Sequence, residues 1–234
     1  GLEALAVQGT RVAVGDFDGD GRPDLFVRAG GNGVDEWDGT RRSWLLRNTG
    51  GRFEDVTESS GVRQTRVSTI AVGRPGEVVA FADVDNDGDL DVYTGMTTGV
   101  DGALAGETSE LMLNDGQGHF QLGPEDSGLR RVGDADIVAG ATFVDADRDG
   151  NIDLWVGQHN YAPAGTNDTI FKQDYLYKGD GAGRFSDITA QAGLTTVDWE
   201  NLDDVDMGLA HSRAWSSLAC DLNDDGAPEL MAAS

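Results

Sequence analysis

Apolar residues along this chain come in short runs, and the runs recur in a fixed order. One set covers residues 12–14, 78–81, 141–143 and 217–219, each just ahead of an acidic segment. A second set follows that segment at 25–27, 92–93, 154–156 and 230–231, and a third lies at 44–46, 111–113 and 175–177. A fourth run starts at a recurring phenylalanine, as in 53–57 and 185–189. Short β-branched or aromatic runs bounded by Gly and Asp turns predict strands. No segment shows a helical period of useful length.

The strands belong to a repeat. Gly1, Gly61, Gly128 and Gly193, each followed by Leu or Val, mark unit starts near 1, 61, 128 and 193, spaced by 60, 67 and 65 residues, and the last unit is incomplete. Four strands in about 65 residues make one blade of a β-propeller, an all-β fold that solves the edge-strand problem by radial repetition. The whole chain, 1–234, reads as such repeats, about 3.5 blades in all where propellers have roughly four to eight. Further blades from a longer chain, or a second chain, are expected to complete it. An open half-propeller bares an apolar blade face, which is an assembly surface.

Between the first two strands of every unit lies an acidic loop. Its copies carry Asp16, Asp18, Asp20 and Asp24; Asp83, Asp85, Asp87 and Asp91; Asp145, Asp147, Asp149 and Asp153; and Asp221, Asn223, Asp225 and Glu229. Positions 1, 3 and 5 bring carboxylates together from a tight loop, Gly at position 6 permits the turn, position 7 can offer a carbonyl, and position 9 closes the shell. Calcium accepts about six to eight oxygens in flexible geometry, whereas magnesium demands an octahedron and zinc prefers His or Cys. An EF-hand would put a Glu at position 12 inside a helix. Here that position holds Val27, Thr94, Val156 or Ala232, within an apolar strand. A single copy could be a solvated turn, but four in register point to Ca²⁺ at three to four sites. Asn223 and the longer Glu229 make the fourth the weakest.

The charge balance narrows the partners. Forty-two acidic residues against 17 basic give a formal net charge of −25, a field that repels nucleic acid and anionic membranes. No run approaches the 18 or so apolar residues of a membrane span. The single cysteine, Cys220, precludes an internal disulfide and is expected as an inert thiol on a buried strand. Position 1 is Gly rather than Met, so the chain is expected to be a processed or excised piece.

A second landmark recurs between the third and fourth strands: Asn48, Gly50, Gly51 and Phe53; Asn114, Gly116, Gly118 and Phe120; Gly179, Gly181, Gly183 and Phe185. With the acidic loops, these residues resemble the FG-GAP repeat of the integrin α-subunit propeller and the VCBS repeats of bacterial surface proteins. The terminal Gly-Leu looks most similar to the cartilage-acidic-protein-like (ASPIC/UnbV) branch. The resemblance implies a seven-bladed propeller with calcium between the first two strands of several blades. It adds the carbonyls of Arg22, Asp89, Asn151 and Ala227 to the ligand set. It also implies an extracytoplasmic setting: secreted, periplasmic or cell-surface.

The expected function is a non-catalytic interaction, adhesion or scaffold module, contacting a protein or glycan partner through the dissimilar segments 30–42, 96–110, 158–174 and 195–213. Loops on a rigid scaffold commonly carry recognition. A lectin-like propeller is the alternative, with Trp37, Tyr161 and Trp199 placed to stack on sugars. A further alternative is the non-catalytic part of a larger secreted enzyme or complex. Trp44, Trp155 and Trp215 are expected in the core. His119, His159 and His211 fit no catalytic motif, and His119 reads as a solvent-facing turn residue. The sequon at Asn167 is a three-residue match of little weight.

Overall fold

Every predicted run contains a strand, the fourth runs shortening to Phe53–Asp55 and Phe185–Asp187. The computed structural model describes residues 11–29, 41–67, 73–97, 106–132, 136–159, 172–195 and 214–233. The first blade comprises β1 (Arg11–Gly15), β2 (Asp24–Arg28), β3 (Ser43–Asn48) and β4 (Phe53–Asp55). The second comprises β5 (Val79–Ala82), β6 (Asp91–Thr94), β7 (Glu110–Asn114) and β8 (Phe120–Leu122). The third comprises β9 (Val138–Val144), β10 (Asp153–Gln158), β11 (Tyr175–Gly179) and β12 (Phe185–Asp187). A two-stranded sheet, β13 (Ser216–Cys220) and β14 (Glu229–Ala233), follows. Each sheet is an antiparallel meander in chain order. One helical turn, α1 (Thr57–Ser60), has no counterpart in the sequence reading; it is too short to show a period and ends on Gly61 in the left-handed region.

The first strands of successive sheets lie side by side, β1 against β5, β5 against β9 and β9 against β13. This is the radial order of propeller blades. Because blades stack on both faces, their middle strands are apolar on both sides: β6 and β10 are buried throughout. Phe26 and Leu45 of the first blade pack with Val92, Met112 and Phe120 of the second. Leu111 and Tyr93 of the second pack with Leu154, Tyr177 and Phe185 of the third.

The recurring Phe and Gly meet at these joints. Phe120 sets its ring edge-on to Phe17 of the preceding blade, centroids 6.2 Å apart. Gly128, closing the second unit, runs so close to the third blade that an added Cβ would lie 1.8 Å from the Phe185 carbonyl oxygen, and its φ of +82° excludes most other residues besides. Phe120 and Phe185 are 1% and 5% exposed, whereas Phe53, whose blade has no described neighbour on that side, is 39% exposed.

Trp44 and Trp155 are core residues, as expected. Trp215 is not: it is 55% exposed, lies one residue ahead of β13, and meets only the edge of the His159 ring among described aromatic groups. Cys220 does lie on a strand but is half-buried rather than buried, because β13 has no described sheet on its outer side.

The meander sorts connections onto two rims. Acidic loops and the tight turns between third and fourth strands occupy one rim. Links between second and third strands, and between blades, leave from the other. On that second rim a buried network ties the joints: Glu110, fully buried, accepts from Arg66 (2.8 and 3.1 Å) and from Arg130 (2.8 Å).

Candidate metal centres on one rim

The four acidic loops share one hydrogen-bond pattern. The position-1 carboxylate takes the backbone N–H groups of positions 5 and 6. Asp16 accepts from Asp20 and Gly21, Asp83 from Asp87 and Gly88, Asp145 from Asp149 and Gly150, and Asp221 from Asp225 and Gly226. Gly21, Gly88, Gly150 and Gly226 all have positive φ, the conformation that the sharp turn needs.

Position 9 ties the loop to the rest of its blade. Asp24 accepts from Phe17 N (3.1 Å) and from Asn48 N on β3 (2.6 Å). Asp91 accepts from Val84 N and Asn114 N, and Asp153 from Ala146 N and Gly179 N. The recurring Asn or Gly before the third turn is therefore the residue whose N–H orients the last acid of the loop.

In three loops these constraints gather positions 1, 3 and 9. Asp16, Asp18 and Asp24 each offer an oxygen within 4.8 Å of the others, as do Asp83, Asp85 and Asp91, and Asp145, Asp147 and Asp153. Asp24, Asp91 and Asp153 have no solvent exposure. Burial pushes the Asp24 and Asp153 carboxyls above the ordinary carboxylate range and, with Asp85 and Asp87 adding repulsion, lifts Asp91 to about 7. Buried acids repelling one another favour the proton unless a cation takes its place. Asp18 Oδ1 and Asp85 Oδ1 are buried and accept no hydrogen bond, so the donor set carries unused oxygen ligands. An all-oxygen set of this kind fits a hard divalent cation.

Position 5 is also tied into the loop. Asp20, Asp87, Asp149 and Asp225 each accept the N–H of position 7, namely Arg22, Asp89, Asn151 and Ala227. None of the four stands in the gathered groups. In the fourth loop, Asn223 Nδ2 donates to Glu229 Oε1 and Leu222 N to Glu229 Oε2, and no comparable group forms there among the described residues.

The sequence reading passed over the residue that precedes this recurring Asn or Gly. Arg47 Nε lies 2.7 Å from Asp18 Oδ2, and Lys178 donates to Asp147 and, at 2.6 Å, to Asp149. The second blade has Leu113 at this register position, opposite Gln121 as Arg47 is opposite Glu54 and Lys178 opposite Ser186. Two clusters thus carry a basic partner and the middle one has none there.

Other expectations fall elsewhere. His119 is exposed and pairs with Asp115 at 3.0 Å. His159 sits against Trp215. Trp37, Tyr161, Trp199, His211 and Asn167 lie outside the described residues. Among described residues no helix is long and apolar enough to cross a membrane.

Residues 16–94 match the FG-GAP-like repeat, from the first acid of the first loop to the end of β6. No curated protein sequence matches the chain. Among solved structures, a lectin of Agrocybe aegerita, described as specifically recognising non-reducing terminal N-acetylglucosamine, is similar at 17% identity and a TM-score of 0.38. The alignment covers 97% of this chain and 60% of the lectin's. At that level of similarity the lectin's ligand says nothing of this chain's.

Proposed function

We propose, taking as premise that residues 16–94 are an FG-GAP-like repeat, that the chain is a calcium-stabilised interaction module of an extracytoplasmic protein and not an enzyme. The observation that carries the reading is the middle cluster. Asp83, Asp85 and Asp91 converge within 4.8 Å, Asp91 is fully buried, and Asp85 Oδ1 has no hydrogen-bond partner. Two carboxylates about 4 Å apart repel by roughly 1 kcal/mol even in water, and a bound divalent ion turns that repulsion into attraction. Asp83, Asp85 and Asp91 would hold the ion, as would their counterparts in the first and third blades. The ion would supply structural cross-linking of loop to blade, with no reaction routed through it.

Partners would meet the rim opposite these loops, where the dissimilar segments 30–42, 96–110 and 158–174 connect second to third strands. Extracellular calcium, far above cytosolic levels, suits sites that need saturation to hold a fold.

Thermal unfolding in millimolar calcium, in millimolar magnesium and in excess chelator tests the reading. Each site held at 100 times its Kd adds about 2.7 kcal/mol, so the calcium sample should melt many degrees above the other two. Equal melting temperatures in all three would overturn it. The glycan-binding alternative, which rests on Trp37, Tyr161 and Trp199, is tested by a glycan array.

A further inference from the structure

Position 4 of every acidic loop stands in the left-handed region, with φ of +68° at Gly19, +59° at Asn86, +61° at Arg148 and +61° at Asp224. Glycine adopts that conformation at no steric cost, Asn and Asp less readily, and other residues rarely. The first loop uses Gly. The later loops carry a side chain where the backbone favours none, and two of those side chains reach the next loop.

Asn86 Nδ2 donates across the joint to Asn151 Oδ1 and to the Gly181 carbonyl, both at 3.3 Å. Gly181 makes room for it: a Cβ there would lie 2.6 Å from Asn86 Nδ2 and 2.3 Å from Asn151 Oδ1. Asn151 is position 7 of the third loop; its N–H goes to Asp149 Oδ1 at 2.9 Å, and its side chain bonds the same carboxylate. The Asn86 amide, set between Asp85 and Asp87 of the second loop, therefore leans on a residue that shapes the third. Arg148 repeats the reach one joint on. Its Nη1 donates to the Gly226 carbonyl at 3.4 Å, and Gly226 N donates to Asp221. Gly19 has no side chain to send, and a Cβ there would meet nothing within 4 Å. The first joint is bridged at position 2, where Asn114 reaches the Phe17 carbonyl, but not at position 4 among the described residues.

We infer that the position-4 side chain couples neighbouring cation sites, so that through Asn86 a cation in the second loop raises the affinity of the third. Holding Asp83, Asp85 and Asp91 together fixes the backbone on either side of Asn86, and with it the amide against Asn151 and Gly181. The third loop is then restricted before its own cation arrives and has less order left to gain. By linkage, the third loop favours the second by the same factor. Exposed bonds of 3.3 Å put the effect near the low end of one net hydrogen bond, roughly threefold in affinity. The inference rests on the calcium reading above and gives those sites their regulation: coupled loops fill over a narrower range of calcium than independent ones.

The test is an NMR calcium titration of the ¹⁵N-labelled chain, following the Gly88 and Gly150 amides, each bonded to the first acid of its own loop. Asp85→Asn disables the second site, and the affinity read at Gly150 is compared with and without it, in the parent chain and in Asn86→Gly. The Asn86→Gly change gives the second loop the residue of the first and keeps its charge, so repulsion between two ions cancels from the cycle. Asp85→Asn should lower the affinity at Gly150 about threefold more in the parent than in the Asn86→Gly background. An equal drop in both, even with weaker binding at Gly88, would make Asn86 merely structural and overturn the coupling while the calcium sites stand. A larger drop without Asn86 would overturn it too. Gly88 and Gly150 amides that millimolar calcium leaves unmoved would overturn the calcium reading itself, and the coupling with it.

Discussion

Lys178 donates to Asp149 across the third acidic loop, Nζ to Oδ2 at 2.6 Å, and its ammonium also reaches Asp147. The lysine occupies space and charge that a divalent ion would claim, and Arg47 does the same at Asp18 of the first loop. Leu113, at the same register position of the second blade, offers no charge. Replacing Lys178 by Leu should therefore tighten calcium binding at the third site by roughly thirtyfold, the worth of a divalent ion against one unit charge at about 4 Å in water, and Leu113→Lys should weaken the second by a similar factor. Isothermal titration of the two variants would show it; identical calcium affinities in both and in the parent chain would sink the idea.

Asp85 separates ligand from structural roles. Its Oδ1 has no hydrogen-bond partner, so Asp85→Asn removes a ligand charge without orphaning a donor. In excess chelator the variant should melt with the parent chain. In calcium at about 100 times Kd it should lose roughly 2.7 kcal/mol, the contribution of one site. Calorimetric melts under both conditions decide it, and an equal loss under both would make Asp85 merely structural.

Acid should act on the outer edge of the first blade. Burial alone would raise the Asp55 carboxyl, but hydrogen bonds from Arg41 and Thr57 outweigh it and hold the group below the ordinary range. A depressed carboxylate stabilises the fold above the unfolded value of about 3.9 and loses that contribution as pH falls toward the folded one. The melting-temperature gap between the parent and Asp55→Asn should be constant from pH 8 to 5 and close below about pH 4. A gap that does not narrow as pH falls below about 4 would contradict this.

The two ends of the repeat differ in what a phenylalanine is worth. Phe120→Ala should cost about 3–5 kcal/mol, as for a large side chain removed from a packed interior, because Phe120 is buried against Phe17. Phe53→Ala should stay within about 0.5 kcal/mol, because the same repeat position is open to solvent in the first blade. Urea unfolding in calcium measures both, and similar losses would show that Phe53 is covered.

What could be read from the sequence was what repeats locally. The alternation of Asp16, Asp18 and Asp20 announces a turn that gathers carboxylates, and four copies fix the blade. Spacing alone does not show that position 5 captures a backbone N–H two residues on, as Asp149 captures that of Asn151. Asp18 lies on the loop between β1 and β2 and its partner Arg47 on β3, so the pair forms only through the pairing of β2 with β3 and was not visible in the spacing. Trp215 was misread because its place beside the run 217–219 does not reveal that it stands just outside the strand, where no described sheet covers it.

The backbone of Phe17 is held from two sides: its N–H donates to Asp24 of its own loop, and its carbonyl accepts from Asn114 of the next blade at 2.7 Å. Val84 repeats the arrangement, giving its N–H to Asp91 and taking Gly183 N from the third blade. An ion bound at one loop would therefore fix the hinge on which the following blade leans, and its departure would slacken that hinge. The curvature of the whole array would then follow the calcium of its surroundings, one joint per ion.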